Sequence, residues 1–237
     1  MKKSILVIAI LLTGYSAYSQ VLISLLLGDV LNSDKIEFGL DGGVNFSNIA
    51  NLDPGKSLAL FNLGFYFDIK FKENLMLHTG VIVKSNQGAD KLNPYTLDND
   101  NLNAVFSDGY VTRKINNFSV PILIKYRFAT LFHVEAGPML ALRTKGYDEF
   151  KNTVYEKDDV SYKLDIKDNY KRIDAGIMVG AGIKLSKIPK SSQMGIRYYY
   201  GLVDPLIGNT GKPQNFSSLY LYMSIPIGVQ KAEAESQ

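Results

Sequence analysis

The sequence predicts an all-β fold: an eight-stranded antiparallel up-and-down transmembrane β-barrel preceded by a short N-terminal helix. Three observations carry this. Eight segments alternate apolar and polar residues with a period of two, the mark of strands with unlike faces. Every charge within them falls on one phase, leaving a continuous apolar phase opposite. The connections between them alternate short and long, the arrangement of barrels with tight periplasmic turns and long extracellular loops.

Taken in order, the first segment (36–46) sets Ile36, Phe38, Leu40, Gly42, Val44 and Phe46 against Glu37, Gly39, Asp41, Gly43 and Asn45. The second (58–70) carries Asp68 and Lys70 on its polar phase, and the third (74–85) carries Lys84. The fourth (118–128) sets Phe118, Val120, Ile122, Ile124, Tyr126 and Phe128 against Ser119, Pro121, Leu123, Lys125 and Arg127. The fifth (132–143) carries Glu135 and Arg143, the sixth (172–185) Arg172, Asp174 and Lys184, the seventh (194–202) Arg197, and the eighth (218–229) no charge. Lipid outside and a polar lumen inside explain this partition. A lysine or arginine turned to lipid at the midplane costs about 2–4 kcal/mol, so a one-residue slip of register is penalised along a whole strand. Met76, Ile82, Leu123, Met139 and Met178 fall on the lumenal phase, as expected of a small barrel that packs its interior with side chains.

The short connections are 71–73, 129–131 and 186–193; the long ones are 47–57, 86–117, 144–171 and 203–217. On the apolar phase Phe67, Phe71, Tyr126, Phe128 and Phe132 lie near the short turns, and Phe46, Phe118, Tyr198 and Tyr200 near the long loops. Two such bands match the aromatic girdles of a membrane barrel, although β-propensity also enriches Tyr and Phe in strands.

The N-terminus reads as an export signal over 1–19: Lys2 and Lys3, the apolar run Ile5 to Leu12, and Ala17-Tyr18-Ser19 before Gln20. The apolar run is too short to span a bilayer as a helix. Removing its two lysines lowers the formal charge from +3 to +1, which gives no electrostatic case for nucleic acid. Residues 20–35 form an apolar lead-in, with Val21 to Leu31 expected as a short helix that plugs the periplasmic mouth or lies in the interface. The barrel spans 36–229 as one domain, and 230–237 is a polar tail. Cysteine is absent, which excludes disulfides, thiolate metal sites and thiol nucleophiles.

The candidate site residues are a lumenal charge network of Glu37, Asp41, Lys125, Arg127, Glu135, Arg143, Asp174 and Arg197, with a structural role. Glu135 is expected to pair with a cation, Lys125 or Arg127 on the adjacent strand or Arg197 further round. His78 and His133 are the only histidines. Histidine chemistry needs a nucleophile or water and an orienting carboxylate; His133 lies beside a short turn, on the wrong side for outer-surface chemistry, and His78 has no Ser or Asp companion at a telling spacing, so both are expected as packed or solvated lumen histidines. Asp98-Asn99-Asp100-Asn101 lacks the later ligands and glycine of a calcium loop and reads as solvated. Gly180-Ala181-Gly182 lies within a strand and reads as room for a narrow interior. In 144–171, Val160, Tyr162, Leu164 and Ile166 still alternate with Ser161, Lys163 and Asp165, so strands can continue beyond the bilayer as a hairpin. Its tyrosines among charges suit either recognition of a protein or glycan, or a soluble loop.

Asn117-Phe118-Ser119-Val120-Pro121-Ile122-Leu123-Ile124-Lys125-Tyr126, Val134-Glu135-Ala136-Gly137-Pro138, Asp174 to Gly182 and Arg197-Tyr198-Tyr199-Tyr200-Gly201-Leu202 together resemble the PorT-like outer-membrane β-barrel family common in Bacteroidota. The resemblance covers about Ile36 to Val229. It implies an OmpA/OmpX-like eight-stranded barrel of the cell outer membrane, with no catalytic residue to carry over and a name-giving member linked to type IX secretion and gliding. The expectation is thus a non-enzymatic barrel with a closed lumen and no cofactor, serving envelope structure or loop-mediated interaction. Its expected partners are outer-membrane lipid, the barrel-assembly machinery and an envelope or secretion protein. Two alternatives stand: an accessory of a type IX-like secretion or gliding machinery, and a secreted lipocalin-like binder with its apolar phase turned inward.

Overall fold

The alternating segments pair antiparallel throughout. In the computed structural model, which describes residues 31–52, 54–154 and 158–227, the strands are β1 (Ile36–Ile49), β2 (Leu58–Lys72), β3 (Leu75–Leu92), β4 (Tyr110–Arg127), β5 (Phe132–Val154), β6 (Asp158–Asp165), β7 (Ile173–Lys184), β8 (Gln193–Gly201) and β9 (Phe216–Pro226). The order β4-β3-β2-β1-β9-β8-β7-β5 closes on itself through β4–β5 pairing. Eight strands therefore form a ring, and β6 pairs with the distal half of β5 outside it. Closure satisfies the backbone of strands that meet no water on their outer face. At the start of the ring Asn32 donates to the Ile227 carbonyl at 2.6 Å and accepts from Phe38 N, tying the lead-in to the end of β9. The expected export signal, the helix over 21–31 apart from Leu31, and the 230–237 tail lie outside the described residues.

Three expectations are corrected. The ring has its eight strands, but a ninth, β6, makes the anticipated hairpin with β5. The loop 86–117 is largely strand: β3 runs on to Leu92 and β4 starts at Tyr110. Between them the acidic run caps a short helix, α1 (Asp100–Phe106), whose Asn99 side chain accepts from the Asn101 and Leu102 amides. Asn at an N-cap satisfies amides that otherwise lack partners, and that local pairing, invisible to strand periodicity, is what the solvated-loop reading missed.

The faces follow the pattern. Outside, Phe61, Phe65, Ile122, Ile124, Leu140, Ile177, Ile196 and Leu221 are exposed, while Asp41, Asp68, Lys125, Glu135, Asp174 and Arg197 are buried inside. This is the reverse of a lipocalin-like binder. Phe71, Tyr126, Phe128 and Phe132 are exposed beside the short turns, and Phe46, Phe118, Tyr198 and Tyr200 toward the long loops. Lys84 departs from its expected place. A register shift between Ile82 and Ser85 turns both Val83 and Lys84 outward, with the ammonium 5.5 Å from the Phe61 ring. A bulge inserts one residue and so reverses the phase beyond it, bringing Ser85 and Gln87 into the interior.

Candidate functional site

Side chains fill the ring in layers. The central layer gathers around Arg197 on β8. Its Nε donates to Glu135 at 2.5 Å, its Nη1 to Asp41 at 2.6 Å, and its Nη2 lies 3.1 Å from His78 Nε2; the guanidinium also rests on the Tyr222 ring at 3.6 Å. Register explains the reach: Glu135 and Arg197 sit opposite the same β7 residue, Gly180. A Cβ there would come within 2.8 Å of the Ile196 carbonyl, 2.9 Å of Arg197 Cγ and 3.2 Å of Glu135 Cγ. Gly182 likewise leaves room for Tyr222, whose hydroxyl is 2.9 Å from His133 Nε2.

Toward the short turns, Lys125 donates to Asp68 at 2.7 Å and to Gln193 at 3.1 Å. Although Lys125 is the register partner of Glu135, its ammonium turns to the other side, so the cation on Glu135 is Arg197, the more distant of the three expected candidates. Glu37 accepts from the Tyr66 hydroxyl at 2.7 Å and from Gln193 at 3.2 Å. Among the described residues the Arg127 side chain reaches only Met76 Sδ, at 3.7 Å, apart from this cluster. Toward the long loops, Asp174 accepts from Tyr199 at 3.0 Å, while Arg143 donates to the Lys171 carbonyl and stacks on Tyr170 and Phe216. Of the eight predicted residues, Glu37, Asp41, Lys125, Glu135 and Arg197 belong to one network joined through Asp68, His78 and Gln193, whereas Arg127, Arg143 and Asp174 make separate contacts.

His78 and Asp68 are the pairing that sequence reading missed. They lie equidistant from Glu73 and are register partners across the β2–β3 hairpin, with His78 Nδ1 2.6 Å from Asp68. The tight turn was the available signal. Arginine nitrogens only donate, so at its contact with Arg197 the Nε2 of His78 accepts and Nδ1 carries the proton toward Asp68. A guanidinium thus occupies the place where a nucleophile or water would stand in a catalytic dyad.

A second body caps the ring on the long-loop side, which is extracellular in outer-membrane barrels. The register of β4 and β5 skips Thr144, and beyond that point Gly146, Asp148 and Phe150 face inward. Phe150 is fully buried and lies against Tyr95, Phe106 and Tyr162 at 5.0, 6.0 and 6.3 Å between ring centroids. Val111, Ile115, Leu92, Leu97 and Ile166 complete this apolar core, which continues into Leu123, Met139 and Met178 of the ring interior. Arg113 is bidentate to Asp148 at 2.8 and 2.6 Å, and Tyr95 donates to the same carboxylate at 2.8 Å. Outside, Glu149 collects Lys114, Lys151 and Lys163 at 3.3, 3.2 and 3.7 Å. Burial pushes the Glu149 carboxyl up, but Lys151 and Lys114 outweigh it and hold it below the ordinary carboxylate range. Tyr162 and Tyr170 pack inward, and so the expectation of tyrosines standing free among the charges is corrected for these two.

A closed antiparallel ring, apolar outside and charge-bearing within, defines an integral membrane β-barrel. The chain belongs to the outer membrane protein β-barrel domain family, whose model matches residues 31–206, and the protein resides in the outer membrane. Among solved structures it is similar to Ail, the attachment invasion locus protein of Yersinia pestis, at 10% identity over 82% of this chain and 100% of that one, with a TM-score of 0.42. It is also similar to Neisserial surface protein A, at 11% over 80% and 96% with a TM-score of 0.38, and to OprG from Pseudomonas aeruginosa, at 11% over 81% and 91% with a TM-score of 0.31. No curated protein sequence matches.

Proposed function

We propose that this is a non-enzymatic, closed outer-membrane barrel of PorT-like type whose extracellular body binds a protein of the envelope or of a secretion assembly. One observation carries the reading: the long connections form a packed body whose apolar core continues into the interior of the ring, built on strands that extend from it. Floppy loops need no such core, whereas a binding surface gains from being held rigid. The filled lumen supports the absence of a pore, since Leu123, Met139, Met178 and Tyr199 are fully buried across it. The engagement of His78 by Asp68 and Arg197 supports the absence of histidine-based hydrolysis.

Photo-crosslinking in living cells tests the partner. A crosslinker at Lys163, whose side chain is 61% exposed, is expected to trap one discrete protein adduct that a crosslinker at Lys187, by the short turns, does not. Equal, diffuse labelling from both positions overturns the reading. Steady, large conductance of the purified barrel in a planar bilayer overturns the closed lumen.

A further inference from the structure

On the membrane-facing wall, at the extracellular end of β4, β5 and β7, a cavity of about 640 Å³ opens where the apolar belt stops. Its floor is Phe118 and Leu142, register partners on the lipid face and each 40% exposed. Its roof is the segment 167–172 together with Ile207, held there by the Ile207 amide donating to the Asn169 carbonyl at 3.0 Å. Three cations line it: Lys167 and Arg172 at the open side and Arg143 at the back. Asp168 is the one carboxylate of the lining, so the net charge is positive.

The ion-paired cations of the molecule give the contrast. Arg197, Lys125, Arg113 and Lys114 each hold a carboxylate. Among the described residues none of Arg143, Lys167 and Arg172 has one within ion-pair distance, and Arg143, 3% exposed, keeps Nε and Nη2 without an acceptor. Buried donors are almost always paired, and Asp174, the carboxylate whose charge acts on Arg143, makes no ion pair with it. An anion at the open side would bring a second negative charge to these cations. An apolar floor that continues the lipid-facing wall, beneath a cationic roof at the depth where headgroups begin, is complementary to a molecule with acyl chains and a negatively charged head.

We propose that this cavity is a binding site for an anionic, phosphate-bearing lipid of the outer leaflet. Lys167 and Arg172 hold the phosphate by charge-assisted hydrogen bonds, Arg143 adds positive field from behind, and Phe118 and Leu142 receive the first methylenes of a chain. The location commits the site to a membrane-held lipid over free phosphate, because the floor has no polar partner for a small anion.

The test is native mass spectrometry of the intact barrel released from micelles doped with lipid A, comparing wild type with a K167Q/R172Q double variant and with a K187Q/K190Q control on the opposite rim. Both pairs are solvent-facing, and the heat-modifiable gel shift verifies that each variant is folded. Wild type and control are expected to retain one lipid A per barrel, with occupancy in the cavity variant lower by about tenfold, a factor typical of losing one or two charge-assisted contacts. Dephosphorylated lipid A is expected to be retained no better by wild type than by the cavity variant. Equal retention of lipid A by all three proteins overturns the site. Full retention of the dephosphorylated lipid overturns the phosphate assignment, and displacement of lipid A by millimolar inorganic phosphate overturns the choice of a lipid over a free anion.

Discussion

Within the membrane the chain is built inside out, and above the membrane it is built as a soluble protein. In the ring, Arg197, Asp41, Glu135, Lys125 and Asp68 are buried while Ile122, Ile177 and Leu221 face outward. In the extracellular body, Phe150, Val111 and Ile115 are buried while Lys151 and Lys163 lie at the surface. The same strands, β4 and β5, serve both arrangements. Solvent explains the difference: where the outer face meets hydrocarbon, charge is driven to the lumen, and where it meets water, apolar side chains are driven inward. The crossover at Thr144 lets one strand change allegiance by skipping a single residue in the register.

Substitutions should separate the two regions, and the largest effect is expected at the centre of the lumen. Arg197→Ala leaves Asp41 and Glu135 buried without their cation, and breaking a buried pair costs about 3–5 kcal/mol. A loss at the upper end of that range is expected in gel-monitored urea unfolding of the whole barrel, with Glu135→Ala somewhat milder. Wild-type stability in both would show that water solvates this layer.

Phe150→Ala is expected to cost about 3 kcal/mol, but only in the extracellular body. Limited proteolysis should then cut within β5, β6 or the 93–109 connection while the heat-modifiable band of the ring persists. Simultaneous loss of both would mean that the two regions fold as one unit. Gly180→Val, which places methyl groups between Glu135 and Arg197, should cost about 1–3 kcal/mol through crowding and lower the urea midpoint of the ring without exposing the hairpin to protease.

The smallest effect is expected at Glu149, where ion pairs at the protein surface are worth under about 1 kcal/mol. Because its carboxyl titrates below the ordinary 4.5 in the folded state, its contribution is present above that value and is lost as the pH falls through the lower, folded one. Protease resistance of the hairpin should therefore decline in acid, and Glu149→Gln should flatten that decline. A pH profile unchanged by the substitution would remove Glu149 from the account.

The eight ring strands and the direction of their faces were legible because a period of two is a local property: charges mark the polar side of most strands, and in the uncharged eighth Ser218, Tyr220, Tyr222 and Ser224 mark it instead. The short turns were legible for the same reason. The hairpin of β5 and β6 was visible in the alternation of Val160, Tyr162 and Leu164. Less visible were the extensions of β3 and β4: Asn86, Asn116 and Asn117 interrupt the alternation, and the bulges near Lys84 and Thr144 reverse it, so periodicity alone stops at residues 85 and 118. The composition of the lumenal charge set was readable, but its pairings were not. Lys125 faces Glu135 in register yet bonds to Asp68, because side chains in a closed ring reach across the lumen as readily as to a neighbouring strand.

By itself the sequence determined which face of each strand meets lipid, since the cost of charge in hydrocarbon is large and is registered residue by residue. Only the tertiary structure decided who pairs with whom: that Arg197 bridges Asp41 and Glu135 across Gly180, that His78 is engaged between Asp68 and Arg197, and that the long connections share one apolar core. Those contacts join residues distant in the chain, and ring closure, which no local pattern encodes, is what brings them within reach.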